Sequence, residues 1–285
     1  MNTGQPPSLG DTVLQVKDLG IRLRPGRSAP EGRTLLQGCN FELRAGERLT
    51  LVGESGAGKS LLAQAIMGTL PDVMQASGQV QIANRETNGQ RALTQPLWGT
   101  QIVMLPQEPW TALNPVMRLR TQVAEAGRYA AGRRWSAALE QADHHLAALG
   151  LAHAGRQWLH QISGGMAQRV GVACASQSDA RVLLADEPTK GLDAGACEQV
   201  AQLLASAQRQ GQALLTITLT GSGAYWVDAW PVMHQGSIVE TGDVASVLTA
   251  PKHPYTQRAH RAAQPRLAND VPILIPGERT KGHRC

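Results

Sequence analysis

Aromatic residues and cysteines are scarce in this sequence. Its 285 residues include one phenylalanine, three tyrosines and six tryptophans, so leucine, valine, isoleucine and alanine must fill the core. The four cysteines, Cys39, Cys174, Cys197 and Cys285, lie far apart and form no CxxC pair. This spacing argues against a structural zinc site and fits a reducing compartment, in which cysteines act as small apolar side chains.

Long apolar runs are also absent. No stretch approaches the roughly 18 apolar residues of a membrane-spanning helix, so any membrane role requires a partner. The first residues, MNTGQPPSLGD, have neither the basic start nor the apolar run of a signal peptide. We expect residues 1–11 to be a disordered leader.

The body of the chain has no excess of positive charge, although the net charge of the whole is +5. The basic excess lies in 251–285, and residues 1–250 are neutral overall. A basic tail on a neutral body is not the charge pattern of a protein that binds nucleic acid, so we expect no nucleic-acid partner. We treat 251–285 as a basic C-terminal tail.

Between these ends, apolar strand patterns alternate with helical patterns. Strands are predicted at 13–16, 19–23, 41–43, 48–52, 102–105, 182–185 and 213–218. This order predicts an α/β fold with a mostly parallel sheet and helices on both faces. Residues 117–160 are rich in Ala, Arg, Gln and Leu. We therefore expect one domain over 12–250 with an inserted helical subdomain at roughly 110–175.

A glycine-rich segment follows the strand at 48–52 and precedes a helical pattern. It matches the phosphate-binding pattern G-x-x-x-x-G-K-[S/T] with Gly53, Glu54, Ser55, Gly56, Ala57, Gly58, Lys59 and Ser60. Glycines let backbone N–H groups converge on phosphate oxygens, and the helix N-terminus adds partial positive charge. We expect Lys59 to reach the β- and γ-phosphates of ATP and Ser60 to ligate Mg²⁺.

The second half of a phosphate site would be an acidic residue at the end of an apolar strand. The strand at 182–185 is followed by Asp186 and Glu187. We expect Asp186 to hold Mg²⁺ through water and Glu187 to polarise the attacking water. Alone, this pair would equally fit a solvated strand end; its combination with the phosphate-binding loop favours a nucleotide site.

The segment ISGGMAQR at 162–169 resembles the signature motif LSGGQ-x-[Q/R]R of ATP-binding-cassette (ABC) ATPases. The resemblance implies a RecA-like P-loop NTPase core with an N-terminal antiparallel β part. It also implies that Ser163, Gly164 and Gly165 bind the γ-phosphate of an ATP held by another subunit, so that two cassettes form a dimer.

Other positions match the same family. Gln107 stands where the family has its Q-loop glutamine, which senses the γ-phosphate, contacts the metal ion and couples to the membrane subunit. Residues 191–193, GLD, resemble the D-loop. These assignments follow from the resemblance, because a lone glutamine or GLD triplet is usually a surface loop.

A narrower resemblance is to the ATPases of dipeptide, oligopeptide and nickel importers. It is carried by QEPWTALNP at 107–115, IVETG at 238–242 and HPYT at 253–256. It implies an ATP-hydrolysing importer subunit for peptides, nickel or a similar small solute, at the cytoplasmic face of the cell membrane. The implied partners are a second, different ATPase subunit, integral membrane permeases and a solute-binding protein.

Three departures from the family pattern matter. Leu219 stands in place of the switch histidine, no histidine occurs from 161 to 233, and we expect His234 to be merely exposed. Leu23 stands in place of the adenine-stacking aromatic, and Arg22 or Arg24 could stack on adenine instead or be solvated. The tail has only Cys285, where relatives often have a cysteine-rich end, which argues against an iron–sulfur cluster.

The loss of the switch histidine predicts weak hydrolysis at this chain's own site. It also leaves an alternative open, a cassette ATPase of a soluble assembly such as a carbon–phosphorus lyase complex, with ATP binding more important than turnover. Cassette proteins that act on DNA or ribosomes fit less well, because the sequence has no long coiled coil, zinc hook or second cassette.

Overall fold

The computed structural model describes residues 10–26, 31–209, 211–218 and 228–267. Its strands are β1 Thr12–Leu23, β2 Arg33–Arg44, β3 Arg48–Gly53, β4 Met74–Ile82, β5 Arg85–Glu86, β6 Ile102–Leu105, β7 Val182–Asp186, β8 Ala213–Thr218, β9 Trp230–His234 and β10 Ser237–Gly242. Its α-helices are α1 Lys59–Met67, α2 Arg91–Thr94, α3 Leu119–Ala131, α4 Trp135–Ala148, α5 Gly164–Ala175, α6 Ala194–Arg209, α7 Val244–Thr249 and α8 Pro254–Leu267. The predicted α/β class is confirmed.

A six-stranded sheet forms the centre of the fold. Its strand order is β10-β9-β3-β8-β7-β6. Strands β9, β3, β8, β7 and β6 run parallel, and β10 joins the edge antiparallel to β9. Because parallel strands end at one edge of a sheet, the segments that follow β3, β6 and β7 come together there.

The central strands are buried on both faces, which explains their unbroken apolar sequences. Along β7, Val182 and Leu184 lie in one hydrophobic cluster with α1 and the N-terminal strands. Leu183 and Ala185 point the other way, into a second cluster with α3, α4, α5 and α6. Successive side chains of a strand alternate between its faces, so each residue of β7 serves one of two cores.

The N-terminal part is a four-stranded antiparallel sheet with the order β2-β1-β4-β5. The two strands predicted at 13–16 and 19–23 are a single strand, β1, with an irregularity between them. At that point Asp18 has a φ of 49°, and Asn40 caps it by accepting from its N–H at 2.8 Å. The local break in alternation reflects a bulge rather than a turn.

The helical insert consists mainly of α3, α4 and α5. Gly132, with a φ of 65°, ends α3 and separates it from α4. These helices pack on each other and on one face of β6 and β7. Helix α8 lies within the predicted basic tail, while residues 1–9 of the predicted leader and residues 268–285 of the tail lie outside the described residues. None of the helices described is long and apolar enough to cross a bilayer.

Candidate functional site

The phosphate-binding loop connects the end of β3 to the start of α1. Two of its glycines are required by geometry. Gly58 caps α1 with a φ of 104°, and a Cβ on Gly53 would lie 2.3 Å from the carbonyl oxygen of Met233. No side chain of the described residues caps α1, so the N–H groups of its first turn are available to an anion.

Lys59, the first residue of α1, points back into this loop. Its side chain is buried, and Nζ donates to the carbonyl oxygens of Gly53 at 2.8 Å and Glu54 at 2.9 Å. Burial lowers the pKa of Lys59, and the charges of Glu187, Asp186 and Glu54 oppose that shift. The ammonium group is therefore held inside the loop by acceptors that a phosphate would replace.

Asp186 ends β7 at the same sheet edge. It pairs with Ile217 of β8, which also pairs with Leu51 of β3, two residues before Gly53. Asp186 is 3% exposed, and its Oδ1 has no hydrogen-bond partner among the residues that the structure describes. Burial raises the pKa of Asp186, while a hydrogen bond from Ser60 and the charge of Lys59 oppose that shift. Asp186 and Ser60 therefore lie close together, and their predicted role as ligands of Mg²⁺ stays a prediction.

Glu187 follows β7 in a left-handed backbone conformation, with a φ of 52°. Such a conformation is uncommon for a residue other than glycine and requires support from its surroundings. Its N–H donates to the carbonyl oxygen of Ile217 at 2.9 Å. Gln168 of α5 donates from Nε2 to the carbonyl oxygens of Glu187 at 3.2 Å and Pro188 at 3.1 Å. The strained peptide is therefore held by two elements.

Gln107 lies two residues beyond the end of β6, which pairs with β7 so that Leu105 is opposite Ala185. Its segment therefore leaves the sheet at the same edge as Asp186. Gln107 is partly buried. This placement brings its backbone to the expected side of the sheet.

The signature segment lies in the other half of the molecule, at the N-terminus of α5. Ser163 is the N-cap of this helix and accepts from the N–H of Met166 at 3.3 Å. Ser163 and Gly164 are exposed. Helix α5 packs against α3, α4 and α6, in the cluster that lies across the sheet from α1. The structure brings Lys59, Ser60, Asp186 and Glu187 to one edge of the sheet, and Ser163 is exposed at the N-terminus of α5.

The segment predicted as the D-loop packs against the signature segment. A Cβ on Gly165 would lie 3.3 Å from Cδ2 of Leu192 and 3.6 Å from the carbonyl oxygen of Gly191. Asp193 caps α6 by accepting from the N–H of Ala196 at 2.8 Å. A Cβ at position 165 would therefore require the Leu192 side chain to shift slightly.

Sequence reasoning missed three residues near the site. Gln168 is one; it was visible as a polar residue within the signature segment. The others are His234 and Tyr255, whose rings stack with centroids 4.0 Å apart beside the phosphate-binding loop. The expectation that His234 is merely exposed is wrong, since its side chain is 20% exposed and its Nδ1 lies 3.0 Å from Oε1 of Glu54. Long-range pairing of β9 with β3 causes this contact.

Two departures from the family pattern are the missing switch histidine and the missing adenine-stacking aromatic. Leu219 lies outside the described residues. Leu23 ends β1 opposite Arg33 of β2 and Met74 of β4. Arg22 donates from Nη2 to the carbonyl oxygen of Glu31 at 2.8 Å, which ties its guanidinium to its own hairpin.

The fold and the loop between β3 and α1 define a P-loop ATPase. Residues 36–190 match the family model described as ABC transporter. The chain belongs to the ABC transporter family and is an ATPase subunit of a transporter.

Its relatives among known proteins are transport ATPases. It is 34% identical over 266 residues to the dipeptide transport ATP-binding protein DppD of Escherichia coli, covering 86% of this chain and 79% of DppD. It is 35% identical over 282 residues to the oligopeptide transport ATP-binding protein OppD of Salmonella typhimurium, covering 96% and 83%. It is 37% identical over 272 residues to the glutathione import ATP-binding protein GsiA of E. coli, covering 90% of this chain and 42% of GsiA.

Solved structures have the same fold. An ATP-binding subunit of an ABC transporter superposes with a TM-score of 0.69 at 23% identity, covering 90% of this chain and 98% of that chain. A dimeric bacterial ABC transporter cassette superposes with a TM-score of 0.72 at 22% identity, covering 81% and 98%. These similarities establish the cassette architecture predicted from the signature segment.

Proposed function

We propose that this chain binds MgATP between its P-loop and the end of β7 and drives import of short peptides. One observation carries the proposal for the site. Lys59 is buried among carbonyl oxygens with Asp186 and Glu187 close enough to oppose its pKa shift. A buried ammonium group beside one buried and one partly buried carboxylate, at the first turn of a helix, is suited to bind a chain of phosphates and its metal ion.

The donor set fits Mg²⁺. This ion prefers a few oxygen ligands supplemented by water and substrate phosphates. Oδ1 of Asp186 is a buried acceptor without a partner in the described part of the chain, and the Ser60 hydroxyl is close enough to this carboxylate to lower its pKa. In this proposal Ser60, Asp186 and Gln107 hold Mg²⁺, which neutralises charge on the phosphates when bound.

The residues of the chain then have separate tasks. Backbone N–H groups from Gly56 to Ser60 hold the phosphates, and Lys59 exchanges its carbonyl contacts for phosphate oxygens. Glu187 orients the attacking water from its constrained backbone position. Gly53, Glu54, Ser55, Ala57 and Gly58 shape the loop.

The exposed signature segment supports a dimer of cassettes. Ser163, Gly164 and Gly165 form a helix N-terminus that faces solvent in the single chain. We propose that they bind the γ-phosphate of ATP held by a second, different ATPase subunit. The pair would act with integral membrane permeases, and with a solute-binding protein, at the cytoplasmic face of the cell membrane.

Short peptides are the proposed solute because DppD, OppD and GsiA are named for a dipeptide, oligopeptides and glutathione. Nickel, which the sequence resemblance also allowed, has no such support among these relatives. These names also favour a transporter over the soluble assembly that the sequence left open.

The test is solute uptake in a strain deleted for the gene. Wild-type protein should restore uptake of a radiolabelled dipeptide, Lys59→Ala should not, and Lys17→Ala, at an exposed position of β1, should restore it as a matched control. Uptake of radiolabelled Ni²⁺ instead of the dipeptide would replace the proposed solute. Purification of the tagged chain from membranes with soluble proteins alone would contradict the transporter assignment.

A further inference from the structure

The start of α8 lies against the phosphate-binding loop, although the two are about 200 positions apart in the sequence. Oη of Tyr255, the second residue of α8, accepts a hydrogen bond from the N–H of Glu54 at 3.2 Å. Tyr255 is partly buried. The C-terminal segment therefore contacts the first peptide after Gly53, where the chain turns out of β3.

A second contact joins the same three elements. His234, the last residue of β9, stacks on Tyr255 with ring centroids 4.0 Å apart and an interplanar angle of 17°. Its Nδ1 lies 3.0 Å from Oε1 of Glu54. Because β9 pairs with β3 so that Met233 is opposite Gly53, the histidine is fixed beside the loop by the sheet itself. Glu54 is thus held through its N–H and its carboxylate.

The position of Tyr255 is in turn fixed by the sheet. Glu240 of β10 accepts from the N–H groups of Lys252 at 2.8 Å and His253 at 3.0 Å. Nδ1 of His253 accepts from the N–H of Tyr255 at 3.2 Å. These bonds anchor the residues just before α8, so the tyrosine hydroxyl reaches the loop from a fixed support.

The third polar group of Glu54 connects this cluster to the cation of the site. Its carbonyl oxygen accepts from Nζ of Lys59 at 2.9 Å. The N–H, the carboxylate and the carbonyl oxygen of Glu54 are therefore bound by Tyr255, His234 and Lys59 respectively. A rotation of the peptide groups on either side of Glu54 would move the carbonyl oxygen that accepts the hydrogen bond from Lys59.

We infer that Tyr255 is a positioning residue of the nucleotide site, which fixes the Glu54 peptide so that the loop is ready for the phosphates before ATP binds. This inference rests on the proposed role of the loop and extends it to the C-terminal segment. A hydrogen bond that holds a binding loop in its bound form improves affinity because less freedom is lost on binding. Its removal should weaken ATP binding about 2- to 10-fold.

The test uses the full-length chain with Tyr255→Phe, which removes the hydroxyl and keeps the ring stacked on His234. The matched control is Tyr129→Phe, at a tyrosine that is 76% exposed on α3. ATP affinity is measured by displacement of a fluorescent ATP analogue, and amide hydrogen exchange is measured for a peptide covering residues 53–60. We expect a 2- to 10-fold higher Kd, faster exchange in this peptide and an unchanged melting temperature without nucleotide.

The possible outcomes separate this inference from the proposed function. Failure of the wild-type chain to bind ATP would overturn the proposed function. Normal binding by wild type together with an unchanged Kd or unchanged exchange in Tyr255→Phe would overturn the positioning role alone. In assembled transporter, the same variant should raise KM for ATP and leave kcat within about twofold, since the hydroxyl does not touch the reacting atoms. A fall in kcat with an unchanged KM would also overturn it.

Discussion

The two parts of this cassette that carry the proposed phosphate-binding residues differ in how complete they are. Around the P-loop, Lys59 is 6% exposed and Asp186 is 3% exposed, and each perturbs the pKa of the other. At the signature segment, Ser163 and Gly164 are exposed, and Ser163 caps its own helix. The residues around the P-loop are buried and interact with each other, whereas the signature segment exposes the N-terminus of α5 to solvent. Under the proposed function, a single chain therefore contributes residues to two nucleotide sites.

Removal of the P-loop cation should have the largest effect. Lys59→Ala deletes the positive charge that Glu54, Asp186 and Glu187 stabilise, and this is the charge that the proposal places against the phosphates. We expect ATPase activity of the assembly to fall by about 10³-fold or more. Lys17→Ala is the control, because Lys17 is exposed on β1. If Lys59→Ala keeps the nucleotide affinity and ATPase rate of the wild type, Lys59 is not part of the nucleotide site.

Restoring the missing histidine should change the P-loop half in the opposite direction. Leucine at 219 cannot position water by hydrogen bonding, so Leu219→His should raise the ATPase rate of the purified chain on the order of 10²-fold. Thr220→His, one position along, serves as the control for an added imidazole. A wild-type rate already near ~1 s⁻¹, with no gain from the histidine, would show that Glu187 suffices.

A smaller effect should appear in the stability of the nucleotide-free chain. Burial raises the pKa of Asp186 above its value in the unfolded chain, so the folded state favours the protonated acid. Stability is then unaffected below the ordinary aspartate pKa near ~4 and is lost as the pH rises through the raised pKa. Asp186→Asn removes this cost, so the nucleotide-free variant should melt at a higher temperature than the wild type at pH 7.

The pH dependence distinguishes this explanation from a general gain in packing. Thermal melting in EDTA should show the stabilisation at pH 7 and little difference between the two proteins at pH 4. Asp72→Asn, at an exposed position, should change neither value. Equal stabilisation of Asp186→Asn at both pH values would mean that ionisation of Asp186 is not its cause.

The sequence predicted the local parts of the site well, because short motifs encode them. The loop from Gly53 to Ser60 requires glycines at fixed spacing, and the strand that ends in Asp186 is an apolar run, since both its faces are covered. The strand order places these segments at one edge, as the α/β pattern implies. The sequence predicted two strands where the structure has one, because the left-handed residue Asp18 interrupts the alternation of apolar and polar side chains.

Contacts between distant segments were not predictable in the same way. Tyr255 reaches Glu54 because β9 adds to β3 and β10 anchors the start of α8, and neither pairing leaves a local pattern at Tyr255. The contact of His234 with Glu54 also depends on the pairing of β9 with β3, so its environment could not be predicted from its neighbours in the sequence. Gln168 holds Glu187 across the interface between α5 and the sheet, and its sequence neighbours showed only that it belongs to the signature segment.

We propose that the P-loop and the signature segment of this chain act on different nucleotides, and Ser163→Arg separates the two roles. In the complex with the proposed ATPase partner, a photoactivatable ATP analogue labels each chain at its own P-loop, and vanadate traps the label where hydrolysis occurs. We predict that Ser163→Arg removes vanadate-dependent labelling of the partner and leaves binding of the analogue to this chain unchanged. Ser136→Arg, at an exposed position of α4, should change neither. Loss of labelling on this chain, with normal trapping on the partner, would show that Ser163 acts on the nucleotide of its own chain.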